Sequence, residues 1–252
     1  MYLTIRGVVL RTTDYNDRDA LLTQKHGKLT VKARNVRRKN SPLTAVCQLL
    51  VFGEFTIFEY RGQYTVNEAR VLNLFGGLRR DMESLSLASY FAQVSEVLSQ
   101  EDYPTPVLQS LLLNSLYVLS ELKLPLAQVK AVFELRSACI AGFTPDLYGC
   151  HVCGSQMPTR FDLSSGLLEC AACRDTASAG IRLPISPAML EAMRFICFCD
   201  PKKLFSFRLD DGALEQLAAL TEGFLTTQLE RGFPALDFYK SLCFRADTPG
   251  AT

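Results

Sequence analysis

A chain of 252 residues has room for one large domain or two to three small ones with cores of their own. With 48% hydrophobic and 21% charged residues it reads as a soluble globular protein, which excludes disordered and fibrous classes. The net charge of +1 hides a split: residues 1–80 carry 14 Lys and Arg against 6 Asp and Glu, and residues 81–252 carry 13 against 20. A module facing a polyanion, joined to a body that does not, fits that division.

The opening "MYLTIRGVVLRTTDYNDRDA" reaches Arg6 too early for the apolar centre of a signal peptide and alternates like a strand. "ALLTQKHGKLTVKARNV" reads as a hairpin turning at His26-Gly27, and "CQLLVFGEFTIFEYRGQYTVNEARVL" as another turning near Arg61-Gly62. About five short strands in that space suit a small barrel of the OB type. After Gly76-Gly77 the apolar period changes. Leu87, Phe91, Val94 and Leu98 form a helical stripe, as do Leu108, Leu112, Ser115, Leu119 and Leu122. Pro125 opens a third helix carrying Val129, Phe133 and Ile140, which ends near Gly142. Met189, Met193 and Ile196 mark a helix after Pro187, and residues 213–230 one more. The most apolar stretch, "VLQSLLLNSLYVLSEL", is short and broken by Gln109, Ser110, Asn114 and Ser115, so no membrane span is expected. The expected compartment is the cytoplasm, where thiols stay reduced.

Between the third and fourth helices lie Cys150, Cys153, Cys170 and Cys173, a C-x2-C-x16-C-x2-C pattern within the range of four-cysteine zinc ribbons. Each C-x-x-C turn aims two thiolates the same way, Gly154 permits the tight knuckle, and "FDLSSGLLE" can fold back to join the pairs. Four thiolates complete a tetrahedron around Zn²⁺ with no open position, so the site reads as structural. A thioredoxin-like redox pair needs one C-x-x-C in a βαβ setting, and a zinc deaminase needs an H-x-E signature. His151 reads as an exposed bystander. Residues 144–182 carry Arg160, Arg174 and Arg182 against Asp146, Asp162, Glu169 and Asp175, too little positive charge to grip phosphates. Cys47, Cys139, Cys197, Cys199 and Cys243 read as small buried hydrophobes.

In "KLTVKARNVRRKN" alternation sets Lys28, Thr30, Lys32 and Arg34 on one face and Leu29, Val31 and Ala33 on the core face. Lys25 precedes this strand, and Arg37, Arg38 and Lys39 follow it in a loop. No acidic residue lies between Ala20 and Glu54 to balance these seven cations. A charged edge that discourages strand aggregation is the plain reading; a track for a nucleic-acid backbone is the functional one. Tyr15, Phe52, Phe55, Tyr60 and Tyr64 are candidate stacking surfaces, most of them better placed in a core. No Walker A loop, G-x-G-x-x-G, H-E-x-x-H or G-x-S-x-G is present, so the chain reads as a binder and not an enzyme. Arg136 falls on the stripe of Val129, Phe133 and Ile140, where a cation suits either a snorkelling edge or a peptide carboxylate, with Lys130 a possible neighbour.

"DYNDRDALLTQKHGKLTVKARNVRRKNSPL", "GFTPDLYGCHVCG", "SGLLECAAC" and "RGFPALDFYKSL" resemble the RecO family of bacterial recombination mediators over nearly the whole chain. The resemblance implies an α+β multidomain protein. Its parts would be an OB-fold β-barrel at 1–77 and an α-helical bundle at 78–252, with a zinc ribbon inserted at about 144–182. It implies Zn²⁺ on Cys150, Cys153, Cys170 and Cys173, and DNA on Lys28, Lys32, Arg34, Arg37, Arg38 and Lys39, beside Lys25. The implied activity is binding single- and double-stranded DNA, annealing complementary strands and, with RecR, loading RecA onto strands coated with SSB. The family also holds the acidic C-terminal tail of SSB in its helical domain, for which Lys130 and Arg136 are the candidates. Two readings from other classes stand beside it: a transcription-associated zinc-ribbon protein that binds duplex DNA, and a metal- or thiol-dependent enzyme.

Overall fold

The computed structural model describes residues 1–13, 18–23, 26–33, 36, 41–101, 103–122, 124–173 and 180–246. The backbone divides into two compact units, Met1–Lys123 with Phe233–Thr252, and Leu124–Gly232.

The first unit opens with strands β1 (Tyr2–Thr12), β2 (Arg18–Thr23), β3 (Gly27–Lys32), β4 (Phe52–Tyr60) and β5 (Gln63–Asn73). β1 pairs antiparallel with β2 and β4, β2 with β3, and β4 with β5; β3 meets β5 in parallel through Val31 opposite Tyr64. Period-two side chains fill the inside: Ile5, Val9, Leu21, Leu29, Val31, Phe55, Ile57 and Val66 are buried together. The segment between β3 and β4 adds Leu43, Val46, Cys47 and Val51 to that core. β4 turns into β5 at Arg61 and Gly62, both left-handed (φ 50° and 72°), the turn whose twist matches antiparallel strands. Gly27 opens β3 at φ +60°, and a Cβ there would stand 2.1 Å from the carbonyl oxygen of Tyr103. Only glycine fits that contact.

A 3-10 turn, Gly76–Arg80, leads into α1 (Met82–Leu98) and then α2 (Pro106–Glu121). Asp81 caps α1, accepting from the amides of Glu83 and Ser84. Leu87, Phe91 and Val94 are wholly buried, as their spacing requires, and so are Leu112 and Ser115 on α2.

The second unit holds α3 (Leu126–Ile140), strands β6 (Arg160–Asp162), β7 (Leu168–Glu169) and β8 (Arg182–Pro184), then α4 (Pro187–Phe198) and α5 (Asp211–Gln228). The three short strands form a sheet in the order β7-β6-β8. Phe161 meets Phe224 of α5 edge-on at 5.3 Å, and the Gln228 amide donates to the carbonyls of Leu163 and Ser164 at 2.9 and 3.0 Å. Gly223 lets Leu163 approach, since a Cβ there would lie 2.9 Å from Leu163 Cδ1. The cysteine-bearing insert is thus seated on α5.

The chain then returns to the first unit as α6 (Pro234–Ala246), a helix that the apolar spacing did not announce. Phe233 packs edge-on against Tyr90 of α1 at 5.3 Å, and the Ala235 amide donates to the Gln93 side chain at 3.2 Å. The helices therefore fall into two sets, α1, α2 and α6 in one unit and α3, α4 and α5 in the other, where the sequence suggested one bundle. No helix among the described residues is long and apolar enough to cross a membrane.

Candidate functional site

Local backbone bonding builds both cysteine knuckles. In the first, the Gly154 amide donates to the Cys150 carbonyl at 2.8 Å and the Cys150 amide to the Ser155 carbonyl at 2.9 Å, with Gly154 left-handed at φ +72°. In the second, a 3-10 turn over Ala171–Cys173 brings the Cys173 amide to the Cys170 carbonyl at 3.2 Å. The His151 amide donates to the Leu168 carbonyl at 2.9 Å, which ties the first knuckle to β7, the strand that runs into Cys170.

The four sulfurs of Cys150, Cys153, Cys170 and Cys173 all lie within 4.8 Å of one another. Those of Cys153 and Cys170 are 3.9 Å apart. Thiolates about 2.3 Å from a tetrahedral zinc stand roughly 3.8 Å from each other, so the set has the dimensions and the chemistry to hold a metal ion. The Cys150 thiol comes down to about 6: burial opposes its ionisation, but amides of Cys153, Val152 and Cys170 outweigh it. Hydrogen bonding to Cys153, burial and the neighbouring sulfurs push Cys173 up to about 12. His151 stays outside the cluster; its Nδ1 lies 3.0 Å from the Leu168 carbonyl, to which it donates.

Beneath the knuckles Arg182 reaches Glu169 at 2.8 Å and Asp162 at 3.6 Å, with both carboxylates buried. These charges hold β6, β7 and β8 together and are not offered to a ligand.

On β3 the burial alternates as the sequence requires: Leu29, Val31 and Ala33 are in the core while Lys28, Thr30 and Lys32 reach solvent. Among the described residues neither Lys28 nor Lys32 has an ion-pair partner. One acid does stand by this face, Glu101, which accepts from the Thr30 hydroxyl at 3.0 Å. The candidates Lys25, Arg34, Arg37, Arg38 and Lys39 lie outside the described residues. Three other cations of this unit are matched: Glu54 holds Arg6 at 3.0 Å and Arg70 at 2.7 Å, and Glu96 holds Arg11 at 2.9 Å. Of the aromatics considered for stacking, Phe55 is core, while Tyr60 is exposed with Arg61 over its ring at 5.2 Å.

Family models for "Recombination protein O N terminal" and "Recombination protein O C terminal" match residues 1–75 and 79–237. The chain belongs to the RecO family. It is 31% identical over 250 residues to the DNA repair protein RecO of Acetivibrio thermocellus, covering 96% of this chain and 97% of that one. Its identity to the DNA repair protein RecO of Bacillus subtilis is 28% over 221 residues, 86% of each chain. The RecO of Alkaliphilus metalliredigens is 27% identical and is covered in full.

The RecO resemblance singled out Lys130 and Arg136 for a partner's tail, and the structure gives both internal work. Lys130 is buried, and its ammonium meets Glu134 at 3.0 Å, Glu222 at 2.8 Å and the Ala218 carbonyl at 3.0 Å. Burial opposes that charge, but the two glutamates outweigh it and hold the Lys130 pKa above the ordinary lysine value. No donor is left for an incoming carboxylate, and Lys130 is withdrawn from the partner-binding candidates. The Arg136 guanidinium donates to the carbonyls of Ile196 and Cys197 at the end of α4. Sequence reasoning missed a groove of about 670 Å³ in this unit, whose lining includes Phe195, Phe198, Phe207, Arg194 and Arg208. Its two contributors, α4 and residues 207–209, are distant in sequence, so no local pattern announced it.

Proposed function

We propose that this RecO-family chain is a non-enzymatic recombination mediator in cytoplasmic DNA repair. In this reading the five-stranded module is an OB-type barrel that binds single- and double-stranded DNA. The carrying observation is the division of β3 into a core face and a face bearing Lys28 and Lys32, which have no ion-pair partner among the described residues; in the sequence they lead into the run Arg34, Arg37, Arg38 and Lys39. Lys28 and Lys32 stand four residues, about 13 Å, apart along one strand, a spacing that can follow a phosphate backbone. They also neutralise the repulsion between two strands, so that complementary bases can pair. Together with RecR, the protein would load RecA onto strands coated with SSB.

Zinc is the metal we assign to Cys150, Cys153, Cys170 and Cys173, because four thiolates in a closed tetrahedral set suit it and leave no position for water. Its contribution is a crosslink that ties the two knuckles of the insert to each other. For the SSB tail we favour the α4 groove over Lys130 and Arg136. Phe195, Phe198 and Phe207 offer an apolar floor, and Arg208 a guanidinium for acidic residues or a terminal carboxylate.

The test is annealing of complementary oligonucleotides by a variant with Arg37→Glu, Arg38→Glu and Lys39→Glu together. Annealing should fall at least to the level of the uncatalysed reaction, with folding intact by circular dichroism. Undiminished annealing would refute the assignment.

A further inference from the structure

Outside the ribbon, two more cysteines come together. Cys139 stands in the last turn of α3 and Cys197 in the last turn of α4, with their sulfurs 3.6 Å apart and sharing a hydrogen bond. Fifty-eight positions separate them in the chain. Arg136, one turn before Cys139 on α3, donates to the carbonyls of Ile196 and Cys197, so the same guanidinium that pins the end of α4 lies beside the pair. Cys197 is buried, whereas Cys139 is half-exposed. Cys199, the C-cap of α4, lines the groove on that helix. A half-exposed thiol backed by a buried one and by a fixed cation is a reactive arrangement, unlike a lone buried cysteine.

We propose that Cys139 and Cys197 are a peroxide-sensitive dithiol, with Cys139 the sulfur that is attacked by oxidant and Cys197 the one that resolves it into a reversible disulfide. The close contact with the Cys197 sulfur brings the Cys139 thiol to about 7, with Thr144 and Arg136 helping and burial opposing; the same contact pushes Cys197 up. Cys139 is therefore the sulfur that is partly ionised at neutral pH and that an oxidant can reach, while the buried Cys197 keeps its proton.

The chemistry balances with one hydroperoxide. The Cys139 thiolate attacks the terminal oxygen, the O–O bond breaks, and the departing alkoxide takes up a proton as an alcohol (or as water from hydrogen peroxide). Cys139 is then a sulfenic acid, oxidised by two electrons. Cys197 attacks that sulfur; the S–S bond forms, the S–O bond breaks, and hydroxide leaves with the Cys197 proton as water. In sum, two thiols and a hydroperoxide give a disulfide, an alcohol and water. The sulfurs close from 3.6 Å to about 2.0 Å, a short step for two side chains already in contact. Because the bridge joins α3 to α4, the chain it closes contains the whole four-cysteine ribbon. A dithiol reductant reverses it by exchange.

The experiment is a hydrogen peroxide titration of the intact zinc-loaded protein, followed by alkylation and peptide mass spectrometry. The expected result is a linked Cys139–Cys197 peptide pair, lighter by two hydrogens, that accumulates before any ribbon cysteine loses its thiol and disappears on treatment with dithiothreitol. In Cys197→Ser the same dose should instead leave a dimedone-trappable sulfenic acid on Cys139. A Cys139 that stays fully alkylatable until the ribbon is oxidised would overturn the proposal. So would a bridge that joins Cys139 to Cys199 or to a second molecule.

Discussion

The amide of Cys170 donates to the sulfur of Cys150 across 3.4 Å, so the second knuckle solvates the first before any metal is considered. Such amide-to-sulfur bonds favour the thiolate and aim it inward. Cys153, by contrast, is exposed and meets Cys170 at 3.9 Å without a backbone donor of its own in that contact. Its fixed place depends on the shared centre. Cys153→Ser should accordingly release the metal and lower the melting temperature by several degrees, because metal-binding free energy is folding free energy in such inserts. Elemental analysis and differential scanning calorimetry check both effects. A variant that keeps its metal and its melting point would contradict the structural role.

Lys130 supplies a different kind of test. It is the cation between Glu134, which is fully buried, and Glu222. Thr221 adds a hydrogen bond to Glu134 at 2.8 Å. Removing one member of a buried ion set leaves the others uncompensated, at about 3–5 kcal/mol. Lys130→Met should therefore cost about that much in urea denaturation, and Lys130→Met with Glu134→Gln should recover a large part of it. Peptide binding at the α4 groove should be retained in the double variant, since no Lys130 contact reaches it.

The parts of this molecule that were legible in the sequence are those fixed by neighbours along the chain. Leu87, Phe91 and Val94 are buried because a 3.6-residue period puts them on one side of α1. The Arg61-Gly62 turn was legible from Gly62, which enters the left-handed region without a Cβ penalty. The cysteine spacing alone implied the ribbon. What escaped was set by distant partners. α6 carries Asp237 and Lys240 among its apolar residues and owes its position to Tyr90 and Gln93, far earlier in the chain. Arg136 bonds backbone carbonyls of α4, which leave no mark on the residue types there. Lys130 has one partner at a legible i,i+4 spacing, Glu134, but Glu222 comes from α5. The approach of Cys139 to Cys197 was equally hidden, since neither belongs to a spaced pair with the other.

Asp81 gives a prediction in pH. As the cap of α1 it accepts from the Ser84 hydroxyl and from the amides of Ser84 and Glu83, and these bonds, the hydroxyl first, hold its pKa below the ordinary 3.8. A carboxyl lowered in the folded state adds stability above its unfolded value, and that stability is lost as pH falls through the folded one. Asp81→Ala should cost about 1 kcal/mol at pH 7. The gap between wild type and variant should narrow only below about pH 4, in urea melts taken from pH 7 to pH 2.5.

Lys32 and Arg6 separate a DNA-facing cation from one that is merely basic. Both reach solvent from the first unit, but Arg6 is held by Glu54 at 3.0 Å, whereas Lys32 has no ion-pair partner among the described residues. A phosphate contacted by Lys32 releases a counterion, and each such contact adds about 0.7 to the magnitude of the log–log salt slope on single strands. Lys32→Ala should therefore weaken binding to a single-stranded oligonucleotide and make the slope shallower by about 0.7. Arg6→Ala should leave the slope unchanged, because the phosphate would compete with a carboxylate already in place. Fluorescence anisotropy from 50 to 300 mM salt reads the difference directly. Equal slopes for Lys32→Ala and wild type would remove β3 from the interface.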